Sequence, residues 1–549
     1  MRGIALAAAV LCALAWAATA GAAGWNTDVY FTNQVASTPT TGGGYPVPDG
    51  ATAPDPGTCR LGNYNSNHSE SWIAVKPGTE DLVGASKFFF EKYSTFYDFH
   101  LGAYTIVNGT PAGNVQIPGY DCISTGTQDM PPSWTNNTDP NADFDSQGRV
   151  YQVTLPFNAF WANMHPNGAI GVVYSDNLGR SWTVGNGGKY LSLLPNSSSF
   201  SFGDVVDKQW VAVNHVATSP YRDHVYAMWA VFNGVNGVEV FFSKSVDRGK
   251  TFSPAKRITF PNVVGPSNTY VYPSVDAAGN LYASIASFFV GGSSSAELFV
   301  GRSTDDGNTW TWFDTGQRAH GTPGPDLPNT MFRDGILENF AASPSYPNHL
   351  YLAYEDWDGT QMDVKFTQST DGGMTWSAPA VVNDASNSAT TDQFQPSVAA
   401  GPGGAVAVAF YDRRAACPSD KSVRPQDVGR SNFCIDVSVQ PYKDSGGGAV
   451  AVGPNVRASQ FTWDPEMPDE TLESLDGIDQ IACASHENPC VRRSFIGDYF
   501  GLAISDANIY TLSVSTHYPS SVKADNGTRI HYQQQILGTI PRADFGTGY

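Results

Sequence analysis

Ser369-Thr370-Asp371-Gly372-Gly373-Met374-Thr375-Trp376 decides the reading of this chain, because the same eight-residue pattern returns at wide intervals. Ser303-Thr304-Asp305-Asp306-Gly307-Asn308-Thr309-Trp310 is a second copy, and Ser245-Val246-Asp247-Arg248-Gly249-Lys250-Thr251-Phe252 is a third with Phe for Trp. Ser175-Asp176-Asn177-Leu178-Gly179-Arg180-Ser181-Trp182 is a fourth, with Asn177 for the central Asp. The shared form, S-x-D-x-G-x-T-W, reads as a tight hairpin: the Asp bonds nearby backbone N–H groups, the Gly takes positive φ, and the aromatic packs as a plug. A calcium loop is excluded, since no copy has alternating oxygen ligands and a Glu at the twelfth loop position. Asn177, Trp182, Asp247, Phe252, Asp305, Trp310, Asp371 and Trp376 are therefore read as structural.

The pattern resembles the Asp-box of the sialidase-type β-propellers. That resemblance implies an all-β propeller of four-stranded antiparallel blades, with each box between the outer two strands and away from the active site. A second periodicity agrees with it. Short strands begin at Leu82-Val83, Val150-Tyr151, Val225-Tyr226, Leu281-Tyr282, Leu350-Tyr351, Val406-Ala407 and Ile509-Tyr510, each preceded by another strand. A four-stranded unit of this size cannot bury both faces alone, so the units must stack around an axis. Seven anchors predict seven blades, with six, the number in the sialidases, as the alternative. Asp28-Val29-Tyr30-Phe31-Thr32 is the strand expected to complete the last blade.

Residues 1–24 read as a secretory signal peptide, with Arg2, an apolar run and a small-residue end. Residues 25–66 form an N-terminal segment with the closing strand, 67–541 one propeller domain with an insertion at about 415–493, and 542–549 a tail. Of seven Cys, Cys12 leaves with the signal, and six in an oxidising compartment favour three disulfides. Local spacing suggests Cys417 with Cys434, Cys483 with Cys490 and Cys59 with Cys122, among fifteen possible pairings. A zinc site lacks any C-x-x-C pair, and neither a metal nor another cofactor is expected. A net charge of −20 argues against nucleic acid or an anionic membrane as partner, and the resemblance implies a glycan or glycoconjugate substrate. The oligomeric state is open.

The loops entering the first strands, and those joining second to third strands, are expected to converge at one end of the channel. They carry Asp207, Glu338, Asp392, Asp498 and Tyr499 as candidate catalytic groups. Arg333, Arg413, Arg414, Arg493, His517 and Asp356 are candidate substrate-binding groups. Glycoside hydrolysis usually needs two carboxylates, sialidases use a Tyr nucleophile, and a sugar carboxylate is held by a bidentate Arg. The resemblance leads to an Arg-Ile-Pro stretch in the first blade, but His68-Ser69-Glu70-Ser71-Trp72 stands there, so no catalytic residue is carried over as matched. The expected activity is that of a secreted sialidase-like glycoside hydrolase on acidic extracellular glycans. A non-catalytic glycan- or protein-binding propeller and a polysaccharide lyase using His517 and Tyr499 are the alternatives.

Overall fold

β-branched and aromatic runs punctuated by Gly, Pro and Asn/Asp turns form antiparallel strands joined by tight connections. The computed structural model describes residues 24–37, 68–89, 99–117, 136–157, 168–194, 204–233, 237–288, 295–322, 327–330, 332, 334, 338–385, 391–467, 496–519, 531–546 and 548–549. Among these, α-helix is confined to Pro261–Val264. No helix of the described residues is long and apolar enough to cross a membrane.

The strands run as successive meanders in chain order. The first joins His68–Val75, Leu82–Phe89, Phe99–Val107 and Thr110–Gln116. The second is built on Val150–Phe157 and Gly168–Ser175, flanked by the short strands Asn136–Thr138, Asp143–Phe144, Thr183–Val184 and Ser192–Leu194. The third joins Asp204–Val213, Val225–Asn233, Gly237–Ser245 and Lys256–Arg257; the fourth joins Ser267–Val275, Leu281–Phe288, Ala296–Ser303 and Thr311–Ala319. A single parallel bridge, Val238 to Ser267, links these two. The fifth joins Glu338–Ala342, Leu350–Trp357, Met362–Ser369 and Ala380–Val381. The sixth joins Gln393–Ala400, Ala405–Asp412 and Asp436–Asp444 to Ala449–Ala451 and Val456–Arg457. The last joins Gly501–Ile504, Asn508–Ser515 and Gln534–Pro541 to Thr32–Val35 from the other end of the chain. Every anchor read from the sequence opens, or directly follows the first residue of, a second strand.

Apolar burial runs between consecutive meanders rather than within one. Tyr151 and Val153 share a core with Val225, Ala227 and Trp229, and Tyr351 and Ala353 share one with Val406 and Val408. Leu82 and Ile106 of the first meander pack with Leu512 and Leu537 of the last, so the two ends of the chain share a core. Burying side chains on both faces of the middle strands is the main stabilising term, at about 25 cal/mol per Å² of apolar surface. The anchor tyrosines add a recurring polar tie: the hydroxyls of Tyr151, Tyr226, Tyr351 and Tyr510 donate to Asp145, Asp306, Asp444 and Glu80 at 3.0, 2.7, 2.6 and 2.6 Å.

The four hairpins that carry the eight-residue pattern share one hydrogen-bond plan. Ser245 Oγ donates to Asp247 Oδ1 (2.8 Å) and accepts from Gly249 N (2.8 Å), while Thr251 N and Oγ1 both donate to Asp247 (2.9 and 2.6 Å). The same bonds recur at Ser303, Asp305 and Thr309 and at Ser369, Asp371 and Thr375. Asn177 substitutes by accepting from Ser181 N and donating to Ser181 Oγ. Gly307 shows why the position excludes a side chain: its φ is +77°, and a Cβ would lie 2.3 Å from the Phe242 ring. Trp182 is buried, but Trp310 and Trp376 are only half-buried, so the aromatic is a complete plug in one copy alone.

Two expectations change. The strand at the N-terminus is Thr32–Val35, paired antiparallel with Ile536–Thr539, and not Asp28–Thr32; the Tyr30 amide turns instead to Asp544 (2.9 Å). The stretch 415–493 is not one insertion, because the outer strands of the sixth meander, Asp436–Asp444 to Val456–Arg457, lie inside it. A Cys417–Cys434 disulfide staples the loop before them. Residues 1–23, Cys59, Cys122, Cys483, Cys490, Arg333 and Arg493 lie outside the described residues.

Candidate active site

First strands are broken by bulges at matching places, between Ser69 and Trp72, Asp207 and Trp210, Thr269 and Tyr272, and Phe394 and Ser397. The residue in each bulge is left-handed without being glycine: Glu70 (φ 49°), Lys208 (51°), Tyr270 (55°) and Gln395 (47°). Asp139 (58°) takes the same conformation in the second meander. Such geometry costs on the order of 1–3 kcal/mol per residue and persists where the surroundings enforce it. Bulges re-aim side chains, and here they bring polar groups of several meanders together.

Lys208 Nζ lies 2.9 Å from Asp498 Oδ2 and 3.8 Å from Asp139 Oδ2, and its amide donates to Asp207 Oδ1 (2.9 Å). Lys87 Nζ lies 2.8 Å from Glu70 Oε1, and Thr138 Oγ1 donates to Asp139 Oδ1 (2.8 Å). Gln395 donates from its amide to Glu355 Oε2 and from Nε2 to the Gly497 carbonyl, both at 2.8 Å. Gly497 must be glycine, since a Cβ there would stand 2.4 Å from the Glu70 amide. Last, first and sixth meanders thus meet at one point.

The carboxyls outnumber the two lysines, and burial decides their charge. It drives Glu338 well above the ordinary carboxylate range, with the Ser284 hydroxyl opposing, and raises Glu355, helped by the Asp334 charge. The Ser284 hydroxyl is the polar neighbour of Glu338, but neither Glu338 oxygen makes a hydrogen bond of good geometry among the described residues. Burial also lifts Glu70 against the pull of Lys87, and lifts Asp207 to about 7 against Lys208. Asp207 is half-buried, so solvent screening trims its shift, whereas Glu338 and Glu355 are shielded. Lys208 stays charged: burial opposes this, but Asp139, Asp498 and Asp207 together outweigh it.

An aromatic group packs against the cluster. The Trp72 and Trp210 rings are 4.7 Å apart, Trp210 and Tyr272 4.8 Å, and Trp210 and Tyr499 5.0 Å. Tyr499 Oη donates to the Pro140 carbonyl (3.2 Å), and burial holds its phenol well above 10, opposite to what a nucleophilic phenolate needs. Trp72, Trp210 and Tyr272 also line a cavity of about 390 Å³, walled further by residues such as Val75, Val213, Ala342, Val398 and Leu502 from the first strands.

Arg413 stands at the end of a second strand and is fully buried. Its Nη1 donates to the Pro328 carbonyl (2.9 Å) and to Asp392 Oδ2 (3.3 Å), and its guanidinium carbon lies 5.4 and 5.6 Å from the Phe332 and Phe394 ring centres. Nε and Nη2 have no hydrogen-bond partner among the described residues. Burial lowers its pKa to about 10, with Asp392 opposing. Asn432 fixes Asp392 by two bonds, at 2.8 and 2.9 Å.

Of the residues picked from sequence, Asp207, Asp498 and Tyr499 join the Lys208 cluster. Glu338 lies within Coulombic reach of Tyr272 beside it. Arg413 and Asp392 form the adjoining pair, coupled to the cluster through Asp334 and Glu355. Arg414 is turned elsewhere, to Asp412 (2.7 Å), Asp384 (2.9 Å) and Asn455 (2.9 Å), with Trp25 against it. His517 stacks on Phe461 (3.6 Å) and bonds Ser422 (2.8 Å), and Asp356 pairs with His320 (2.8 Å). Glu70, Lys208, Glu355 and Gln395 stand in the loops expected to converge but carry no assigned role in the sequence reading, and Lys87 and Asp139 lie outside it altogether. A signal existed: Glu70, Asp139, Tyr270, Glu338, Gln395 and Asp498 precede their second-strand anchors by nearly the same distance.

No protein-family model and no curated protein matches this chain. Among solved structures it is similar to a protein of unknown function from Dyadobacter fermentans, at 10% identity and a TM-score of 0.40, with 87% of this chain and 95% of that one covered. It is similar to the intramolecular trans-sialidase of Ruminococcus gnavus at 12% identity and 0.37, covering 90% and 98%. An ulvan lyase aligns at 11% identity and 0.39, covering 82% and 91%. At such identities and scores the likeness carries no chemistry to this chain.

Proposed function

We propose that the meanders are the blades of a seven-bladed propeller closed by Thr32–Val35, and that the chain is a glycoside hydrolase acting on acidic glycans. The carrying observation is Glu338, a fully buried carboxyl with the Ser284 hydroxyl nearby, no hydrogen bond of good geometry among the described residues, and a pKa raised well above its ordinary value. A carboxylic acid kept neutral at pH 7 is what protonation of a glycosidic oxygen requires, and a second carboxyl with a different proton affinity completes the pair. Asp207, lifted to about 7, is the partner that takes the proton from water. Arg413 offers Nε and Nη2, which have no hydrogen-bond partner among the described residues, to a sugar carboxylate, Asp392 orients it, and Lys208 holds Asp498 and Asp139 in place. Tyr499, committed to Pro140, acts in packing and not as nucleophile. The Cys417–Cys434 disulfide and the leader-like 1–24 support secretion.

The test is release of reducing ends from acidic and neutral polysaccharides by the full chain and by Glu338→Gln and Asp207→Asn. Either variant should lose about 10²–10⁴-fold in turnover while still binding glycan. Unchanged turnover in Glu338→Gln removes the assignment. An unsaturated sugar product would make the chain a lyase, and binding without turnover by the wild type would make it a binding protein.

A further inference from the structure

The fourth meander differs at its outer edge from the other three that carry the eight-residue pattern. After its pattern Thr311–Ala319 is a full-length outer strand, whereas Thr183–Val184, Lys256–Arg257 and Ala380–Val381, which follow the other copies, are stubs. Its pattern ends in Trp310-Thr311-Trp312, and no other copy of the pattern has a second aromatic after its plug. The two indoles stack, 6.0 Å apart and 21° from parallel. Both N–H groups point into the protein, to the Gly307 carbonyl (3.2 Å) and the Ile258 carbonyl (2.9 Å). Across from them the short helix Pro261–Val264 holds out Phe260 and Val263, 43% and 49% exposed. Between the two walls is a cleft of about 330 Å³.

Its chemistry is aromatic faces beside cations. Arg257 lies 4.8 Å over the Phe260 ring and pairs with Glu239 through Nη1, and Lys256 bonds the Asn308 carbonyl at the rim. Two basic groups together on a chain of net charge −20 favour an anion, and apolar ring faces with inward N–H groups favour the C–H face of a sugar. Buried core packing would not leave Phe260 and Val263 in water.

We propose that this cleft is a second carbohydrate site, binding one or two residues of an acidic oligosaccharide by stacking on Trp312 and Phe260 with its carboxylate toward Lys256 and Arg257. It shares no residue with the Glu338 site and does not depend on chemistry there. A site on the rim would hold a polymer while another part of it occupies the centre, raising the effective concentration.

The experiment titrates oligogalacturonate, and its uncharged methyl ester, calorimetrically into full-length protein carrying Glu338→Gln and Arg413→Ala, so that turnover stops, central binding of the acid is weakened, and any further loss on changing the cleft residues reports on the cleft. That background should bind the acid oligomer and bind the ester more weakly, with affinity falling as salt rises. Adding Phe260→Ala or Trp312→Ala should weaken binding at least about tenfold, the factor made by 1.4 kcal/mol. Trp312→Phe should retain part of it. Phe260 is exposed, so Phe260→Ala keeps the test valid if Trp312→Ala misfolds. Hydrolysis of a small soluble substrate by Phe260→Ala in the otherwise wild-type chain should be unchanged. The proposal is overturned if the background binds neither probe, if both single changes leave affinity alone, or if Phe260→Ala instead dissolves a dimer seen by light scattering. None of these results bears on Glu338, whose own variants report on the central site.

Discussion

Glu338 concentrates the residue-scale questions, because a carboxyl with no exposure and no well-formed hydrogen bond among the described residues is stable only while protonated. Its folded pKa lies above its unfolded one, so its contribution is fully present below about pH 4.5 and is lost as pH rises toward the folded value, where only the unfolded chain has released the proton. Glu338→Gln should therefore melt above wild type at pH 8 and together with it near pH 4, while turnover falls at both. A melting curve lowered at every pH would show that the carboxyl serves packing instead. Arg413 poses a similar choice. If Nε and Nη2, without partners among the described residues, receive a sugar carboxylate, Arg413→Ala should weaken acidic ligands far more than neutral ones, and Arg413→Lys should restore only part, since Lys keeps the charge without the fork. If Asp392 is its sole purpose, both variants should lower melting and leave ligand preference alone.

At the scale of the element, the repeated hairpin is a set of local hydrogen bonds whose aromatic contributes according to burial. Trp182→Ala should cost about 3–5 kcal/mol in chemical denaturation. Trp376→Ala should cost less, because its ring is half-buried. Gly307→Ala should be worse than a helix Gly→Ala change is good, since it combines positive φ with a clash against Phe242. All three should keep activity per folded molecule, and a folded but inactive variant would place these hairpins next to the chemistry. The stapled loop is separate in kind. Breaking Cys417–Cys434 should cost about 3 kcal/mol for a loop of this length, read as a lower denaturant midpoint on reduction. It should also disturb Asp392, because Asn432, two residues from Cys434, holds that carboxylate.

Over the whole molecule, the two ends of the chain meet at Thr32–Val35 on Ile536–Thr539, and the first and last meanders share Leu82, Ile106, Leu512 and Leu537. Removing residues through Val35 should bare the edge of Gln534–Pro541, lower the melting temperature and promote self-association in light scattering. A truncated chain that melts like the intact one would make that strand dispensable. The sequence by itself determined the class and the period. Turn chemistry and strand pattern are local, so Ser, Asp, Gly and Trp at fixed spacing specify a hairpin wherever they stand, and the anchors from Leu82 to Ile509 mark second strands correctly. The N-terminal strand lies a few residues beyond the expected one because an edge strand is chosen by its partner's register, which no local pattern encodes. The site was legible only in part. Asp207, Glu338, Asp392, Asp498 and Arg413 could be picked as polar residues at strand ends, but so could Asp356, His517 and Arg414, which have other partners. What separates them is the partners each side chain meets and the place where it meets them, because burial does not: the Arg414 side chain is as fully taken from water as that of Arg413. Both depend on residues hundreds of positions apart meeting at one point, as Glu70 does with Gly497, and only the tertiary structure decides that.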